Sequence, residues 1–338
     1  MTDLPEPREN PNLFGHTAAE ALLAEAARSG RMHHAWLFTG PTGIGKATLA
    51  FRFARRLLAG IPDGASLELD PTSPVFRRVA ASSHADLLTV ERAWDDKKKK
   101  LRGEIVVDDV RRVSDFLRLT PAEGGWRVVV LDSAEDMNRN AANGLLKLLE
   151  EPPARALLLL TCAAPGRLLP TIRSRCRRLR LLPLDESAMG QGLAWALPSL
   201  PETERLRLAG HAEGSLGRAI ALAAEGGVGV ADMVARVLDA LPIASVEQAH
   251  ALADGLGRSD EAFGTFMTLL RVGIASAVRD AARGRADPDQ SRLLGIRGLA
   301  EWVDVWHALT RLQDETEGLY LDKRQAIVAS FSLLAGNA

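Results

Sequence analysis

The sequence predicts a protein of mixed class, a parallel α/β domain followed by all-α domains, on three observations. Four short runs in the first half are almost continuously apolar: residues 35–39 (AWLFT), 85–90 (ADLLTV), 126–131 (WRVVVL) and 156–162 (ALLLLTC). Runs of this length without polar alternation are what strands buried on both faces of a parallel sheet require. Between them lie stretches whose apolar residues recur at helical spacing. After residue 184 the strand signals stop, and Ala/Leu-rich helical patterns broken by glycine and proline fill the remainder.

The elements follow in order. Residues 35–39 give the first strand. Leu49, Phe53 and Leu57 then repeat every four residues as one helix face, which Gly60 and Pro62 end. Residues 60–83, rich in Pro, Ser, Asp and Gly, read as a long loop or excursion. After the strand at 85–90, Val110, Val113 and Leu117 mark a helix that Pro121 stops. The third strand, 126–131, leads to a helix with Asp136 as its expected N-cap. It runs through Met137, Ala141, Leu145, Leu148 and Leu149 to a stop at Pro152 and Pro153. The fourth strand is 156–162, and a fifth, 177–182, alternates Arg with Leu and is expected to be less buried. The α/β domain therefore takes residues 1–183. Breaks at 198–201, Gly214, Gly226–Gly227 and Pro242 divide the remainder into a small helical domain, 184–228, and a larger one, 229–338, with loops at 254–259 and 284–288. In the larger domain, helices at 259–284 and 299–312 carry an expected core of Phe263, Phe266, Leu269, Leu270, Val272, Trp302, Val305, Trp306 and Leu309.

Composition narrows the function. The chain has 338 residues, 46% hydrophobic and 25% charged, which supports real cores and excludes a largely disordered protein. Its 42 basic and 43 acidic residues, net charge -1, exclude a general nucleic-acid coat. The basic residues are lopsided, 35 Arg against 7 Lys, so the positions of the lysines carry information. Residues 1–11 lack the apolar core of a secretory signal, and no apolar run nears the roughly 20 residues that span a bilayer. Cys162 and Cys176 are too few for a disulfide framework and too far apart for a CxxC metal pair. The expectation is a cytoplasmic protein with reduced thiols, no membrane contact and no metal.

One lysine sits in the run Gly40-Pro41-Thr42-Gly43-Ile44-Gly45-Lys46, between a predicted strand and a predicted helix. That is the context of a phosphate-binding loop: Gly40, Gly43 and Gly45 let the backbone approach phosphates and Lys46 reaches the terminal ones. The next residue should carry a hydroxyl to hold magnesium, and it is Ala47. Thr48 follows, turned about 100° around the helix. Asp132 ends a buried strand where a metal-orienting carboxylate belongs, but Ser133 stands where a water-activating Glu is common. Asp132 and Glu135 read as charges at the start of the next helix. Two losses in one site predict a weak or absent ATPase that can still hold nucleotide.

Residues 30–38 (GRMHHAWLF), 132–153 (DSAEDMNRNAANGLLKLLEEPP) and 169–176 (LPTIRSRC), with 317–322 (EGLYLD) more weakly, make the chain resemble the clamp-loader branch of the AAA+ family that serves bacterial DNA polymerase III. The resemblance implies a RecA-like AAA+ module, a small helical lid and a helical collar that assembles five subunits into a ring. It implies that Arg175, flanked by Ser174 and Cys176, is an arginine finger acting on ATP held by the neighbouring subunit. Thr161 and Arg218 join the nucleotide-binding set, although Arg218, in GSLGR at 214–218, stands one position away from the motor-subunit pattern and reads as a surface or capping Arg. The implied partners are gamma/tau-type and delta-type subunits, the sliding clamp and primed DNA, with no membrane. The four cysteines of the family's zinc module are missing from residues 60–84, so zinc is expected to be lost; no cofactor is required, and the site can hold ATP or ADP as a static ligand. The functional expectation is a stator in DNA replication with no catalysis of its own. The alternative is an active motor ATPase; a small-molecule P-loop kinase is disfavoured by the helical second half. Lys97 to Lys100 read as a solvated loop, with phosphate contact the sharper alternative.

Overall fold

The apolar runs pair into a single five-stranded parallel sheet. In the computed structural model, which describes residues 4–30, 32–60, 66–95, 99–123, 125–224, 227–241, 246–256 and 259–335, the strands are β1 (Ala35–Thr39), β2 (Leu87–Val90), β5 (Arg127–Leu131), β6 (Ala156–Cys162) and β7 (Arg177–Arg180). A separate antiparallel hairpin is made by β3 (Trp94–Asp95) and β4 (Lys100–Leu101). The order across the sheet is β2-β5-β6-β1-β7, so sequential strands are joined by crossovers over its faces.

Helices cover both faces, and the period of two along each strand divides the core. Trp36, Phe38, Val128, Val130, Leu157 and Leu159 cluster with α1 (Thr17–Arg28) and α2 (Lys46–Leu58). Leu37, Val129, Leu131, Leu158 and Leu160 cluster with α4 (Val107–Arg118), α5 (Arg139–Glu150) and α6 (Pro170–Arg175) on the other face. Burial on both sides is why these strands read as unbroken apolar runs, and β7 at the edge has only Leu179 buried.

Several local expectations are corrected. Asp136 does not cap α5. It ends a 3-10 turn, Met137 is extended and bridges Ile105, and Asn138 is the cap, its side chain accepting from Ala141 N at 2.9 Å. The excursion at 60–83 contains α3 (Pro74–Ala80), nucleated by Ser73, which accepts from Phe76 N, and by Pro74 in the first turn. The charge-rich stretch after residue 93 holds the β3–β4 hairpin where a loop was expected.

The helical remainder comprises α7 (Glu186–Ala196), α8 (Glu202–Ala212), α9 (Leu216–Ala224), α10 (Gly227–Ala240), α11 (Val246–Leu256), α12 (Asp260–Ala282), α13 (Pro288–Leu294), α14 (Leu299–Gly318) and α15 (Lys323–Ala335). The expected loop at 254–259 begins later, because α11 continues to Leu256. The chain forms two compact units, Met1–Ala219 and Ile220–Ala338. In the second, α12 packs against α14 and α11 against α15. Phe263, Phe266, Leu270, Trp302 and Leu309 are fully buried there, whereas Val272 and Trp306 are half-buried. The expected breaks at Gly226 and Pro242 lie outside the described residues.

Candidate functional site

The phosphate loop leaves the C-terminal end of β1 and turns directly into α2. Its glycines are required by geometry: Gly43 and Gly45 have φ of 77° and 101°, and a Cβ at Gly40 would stand 2.5 Å from the Leu181 carbonyl oxygen. Four consecutive loop carbonyls are engaged by the protein. Lys46 Nζ donates to Pro41 O at 2.7 Å, Ser215 Oγ to Thr42 O at 2.8 Å, Gly217 N to Gly43 O at 2.8 Å and His16 Nε2 to Ile44 O at 2.7 Å. Ser215 and Gly217 thus seat the α8–α9 turn on the loop, and a Cβ at Gly43 would meet Ser215 Oγ at 2.5 Å. Burial holds the His16 imidazole below its ordinary range and keeps it neutral, as a donor to a carbonyl through one nitrogen.

Lys46 is buried at the first position of α2. Burial lowers its pKa, while Glu135, Asp132 and Cys162 oppose that shift. The structure therefore brings Lys46 and the acidic strand end together. Thr161 Oγ1 donates to Asp132 Oδ1 and accepts from Ser133 N at 2.9 Å, tying the end of β6 to the end of β5. Glu135 Oε1 accepts from Ala163 N at 2.6 Å and Ala164 N at 3.3 Å. Asp132 and Glu135 are thus not charges that open α5; they join two strand ends beside the lysine. Burial, reinforced by Glu135, pushes the Cys162 thiol up to about 12. Ala47 offers no hydroxyl in the first turn of α2, and Thr48 beside it is half-buried.

Arg218 lies in the first turn of α9, where its backbone N donates to Ser215 Oγ at 3.2 Å. Its guanidinium pairs with Glu213 at 3.4 Å. A second group of contacts escaped sequence reasoning. Arg55 donates to the carbonyls of Arg8 (2.9 Å) and Asn10 (2.8 Å), and Arg52 donates to Pro11 O and Glu20, both at 2.6 Å. The residues before α1 are thereby strapped onto α2 and reach the phosphate loop at His16. Among 35 arginines nothing local marks these two, since their partners lie 32 to 47 residues away.

Arg175 is the last residue of α6. Its Nη2 pairs with Glu150 at 2.8 Å and its Nη1 donates to Thr171 O at 3.1 Å, with the side chain 36% exposed. Ser174 Oγ also donates to Thr171 O, at 3.1 Å. Cys176 is in the core with Leu168 and Ile172, and burial pushes its thiol up to about 12, so it anchors this corner. Arg177 pairs with Trp36 in the parallel register of β7 with β1, which puts Arg175 at the N-terminal ends of the strands. The phosphate loop, Asp132 and Thr161 lie at or beyond the C-terminal ends. A five-residue strand, about 16 Å long, separates the two edges.

A parallel sheet with helices on both faces, a glycine loop opening the helix after β1 and a carboxylate ending β5 define a P-loop module of the RecA-like AAA+ type. Residues 15–185, half of the chain, match the family described as DNA polymerase III, delta subunit, and the chain belongs to that family. It is 40% identical over 183 residues to DNA polymerase III subunit delta' of Pseudomonas aeruginosa, a match covering 54% of this chain and 53% of that one. It is 30% identical over 220 residues to the tau/gamma subunit of Haemophilus influenzae, covering 64% of this chain and 30% of the relative. The chain spans about half the length, or less, of these curated relatives.

Proposed function

We propose that this chain is a delta'-like stator of the DNA polymerase III clamp loader. It presents Arg175 to ATP held by a neighbouring motor subunit and helps place the sliding clamp on primed DNA. The observation that carries the reading is the position of Arg175. It stands at the strand edge opposite its own phosphate loop, partly exposed and held by Glu150 and Thr171, where a γ-phosphate of another chain could meet it. A guanidinium brought to a γ-phosphate neutralises charge in the transition state without chemistry in its own subunit. Ala47 and Ser133 support a silent site in this chain, while the retained Lys46 and glycines support nucleotide as a static ligand. In this reading residues 184–228 act as the lid and residues 229–338 as the collar.

A motor ATPase is the second reading, favoured by the grouping of Lys46 with Asp132 and Glu135 and by the tau/gamma relative. The two separate on ATP turnover by the purified chain alone. The stator reading expects none above background with or without magnesium. Turnover on the order of 1 per second, the low end of ordinary enzyme rates, would establish the motor instead.

A further inference from the structure

Two basic clusters are absorbed by neither the glycine loop nor Arg175. Lys97 and Lys98 of the lysine run lie outside the described residues. The other cluster is centred on β7. From Arg167 to Leu184 the chain carries six arginines and no acidic residue, in a sequence whose net charge is -1. β7 closes one side of the sheet, pairs with β1 alone and leaves its outer edge without a neighbouring strand. Side chains alternate along it: Leu179 and Leu181 are buried in the core under α1 and α2, while Arg178, Arg180 and Leu182 are exposed on the other face. Arg177 lies over the Trp36 ring at 4.7 Å. Among the described residues, Arg178 and Arg180 make no ion pair.

The backbone points the same way. Leu181 N donates to Thr39 O at 2.8 Å, so the alternation along the strand turns the N–H and C=O groups of Arg178 and Arg180 away from β1, toward the open edge. Such an edge accepts one more strand. Charge selects which strand. A second copy of β7 would set arginine against arginine, and like charges on opposed residues destabilise the pair. A phosphate backbone would satisfy the guanidiniums but carries no donor for the outward carbonyls it would cover. An extended peptide supplies donors and acceptors at strand spacing. Carboxylates on every second residue fall about 6.6 Å apart, which is the spacing of Arg178 and Arg180 along their own strand. We propose that the outer edge of β7 is a docking site for an extended acidic segment of a partner protein, which joins the sheet as a further strand with its carboxylates on Arg178 and Arg180. The site does not depend on the role of Arg175.

The test is the anisotropy of a fluorescein-labelled heptapeptide of alternating Glu and Val, titrated with the full chain at about 50 mM NaCl to limit screening. The wild-type chain binds it. Replacing Arg178 and Arg180 together with Ala weakens binding about tenfold, at roughly three- to fivefold for each exposed ion pair, and Arg178→Glu with Arg180→Glu abolishes it. The same peptide N-methylated at its internal amides keeps every charge but loses its backbone donors, and binds the wild-type chain at least about tenfold more weakly. Exposure of both arginines keeps the circular dichroism of each variant native. The proposal is overturned if the wild-type chain does not bind the peptide, if the arginine substitutions leave the affinity unchanged, or if the N-methylated peptide binds as well as its parent. It is also overturned if a labelled oligothymidylate binds more tightly than the peptide through the same two arginines.

Discussion

At the scale of single residues, the arginines and cysteines divide by partner. Arg175 uses its guanidinium on a carboxylate and a carbonyl at the surface, whereas Arg55 is buried, holds two carbonyls of the N-terminal strap and lies 4.2 Å over the Phe76 ring. Burial lowers the Arg55 pKa to about 10, so it stays charged at neutral pH. Arg55→Ala removes both hydrogen bonds and strands two carbonyls, and should cost about 2–4 kcal/mol in urea unfolding. An unchanged midpoint would mean that the strap contributes nothing to the fold. The thiols give a second prediction. With pKa values of about 12, Cys162 and Cys176 hold roughly one part in 10⁴ as thiolate at pH 8. Both should resist iodoacetamide in the native chain and react in 8 M urea; rapid native labelling of Cys176 would remove it from the core.

At the scale of elements, the start of α5 is decided by a cap two residues beyond the expected one. Asn138→Ala should destabilise the chain by about 1 kcal/mol. Asp136→Ala, which removes a partly exposed pair with Arg92, should cost less. The reverse ranking would restore the start expected from the sequence. Gly43→Ala should likewise cost more than Gly30→Ala. Both residues have positive φ, but only at Gly43 would the new methyl collide, 2.5 Å from Ser215 Oγ. These cases show where sequence reasoning stops. The strands at 35–39 and 156–162 were legible to the residue, because burial on both faces keeps each run apolar up to a threonine at or beside its C-terminal end. The start of α5 was not, because Asp136 and Asn138 are both good caps and the choice is made by Met137 bridging Ile105 across the fold. The helix α1 and the hairpin were missed for want of a strong period. The glycine loop at 40–45, leaving a strand and opening a helix at Lys46, was legible from local spacing. Ser215, Gly217 and His16 were not, since each meets the loop only after the chain has folded back on it.

At the scale of the whole molecule, two global properties follow. Burial lowers the pKa values of His16, His34 and His84 below the usual 6.5. The unfolded chain then binds more protons than the native one, so stability rises with pH in this range. It is complete above about pH 6.5 and is lost as pH falls from there through the lower native-state values. Thermal midpoints should drop between pH 7 and pH 5.5, and His16→Gln should flatten that drop; a midpoint flat across the window would contradict the neutral burial of these rings. The second property is the separation of the Arg175 edge of the sheet from the edge that carries the glycine loop; under the proposed function each chain supplies half of a composite site. The most direct measurement is ATP turnover by a motor-subunit complex assembled with the wild-type chain or with Arg175→Ala. The account predicts that the substitution leaves assembly intact and lowers turnover at the adjoining site by roughly 10³-fold, the scale of an arginine finger. Equal turnover by the two complexes would contradict it.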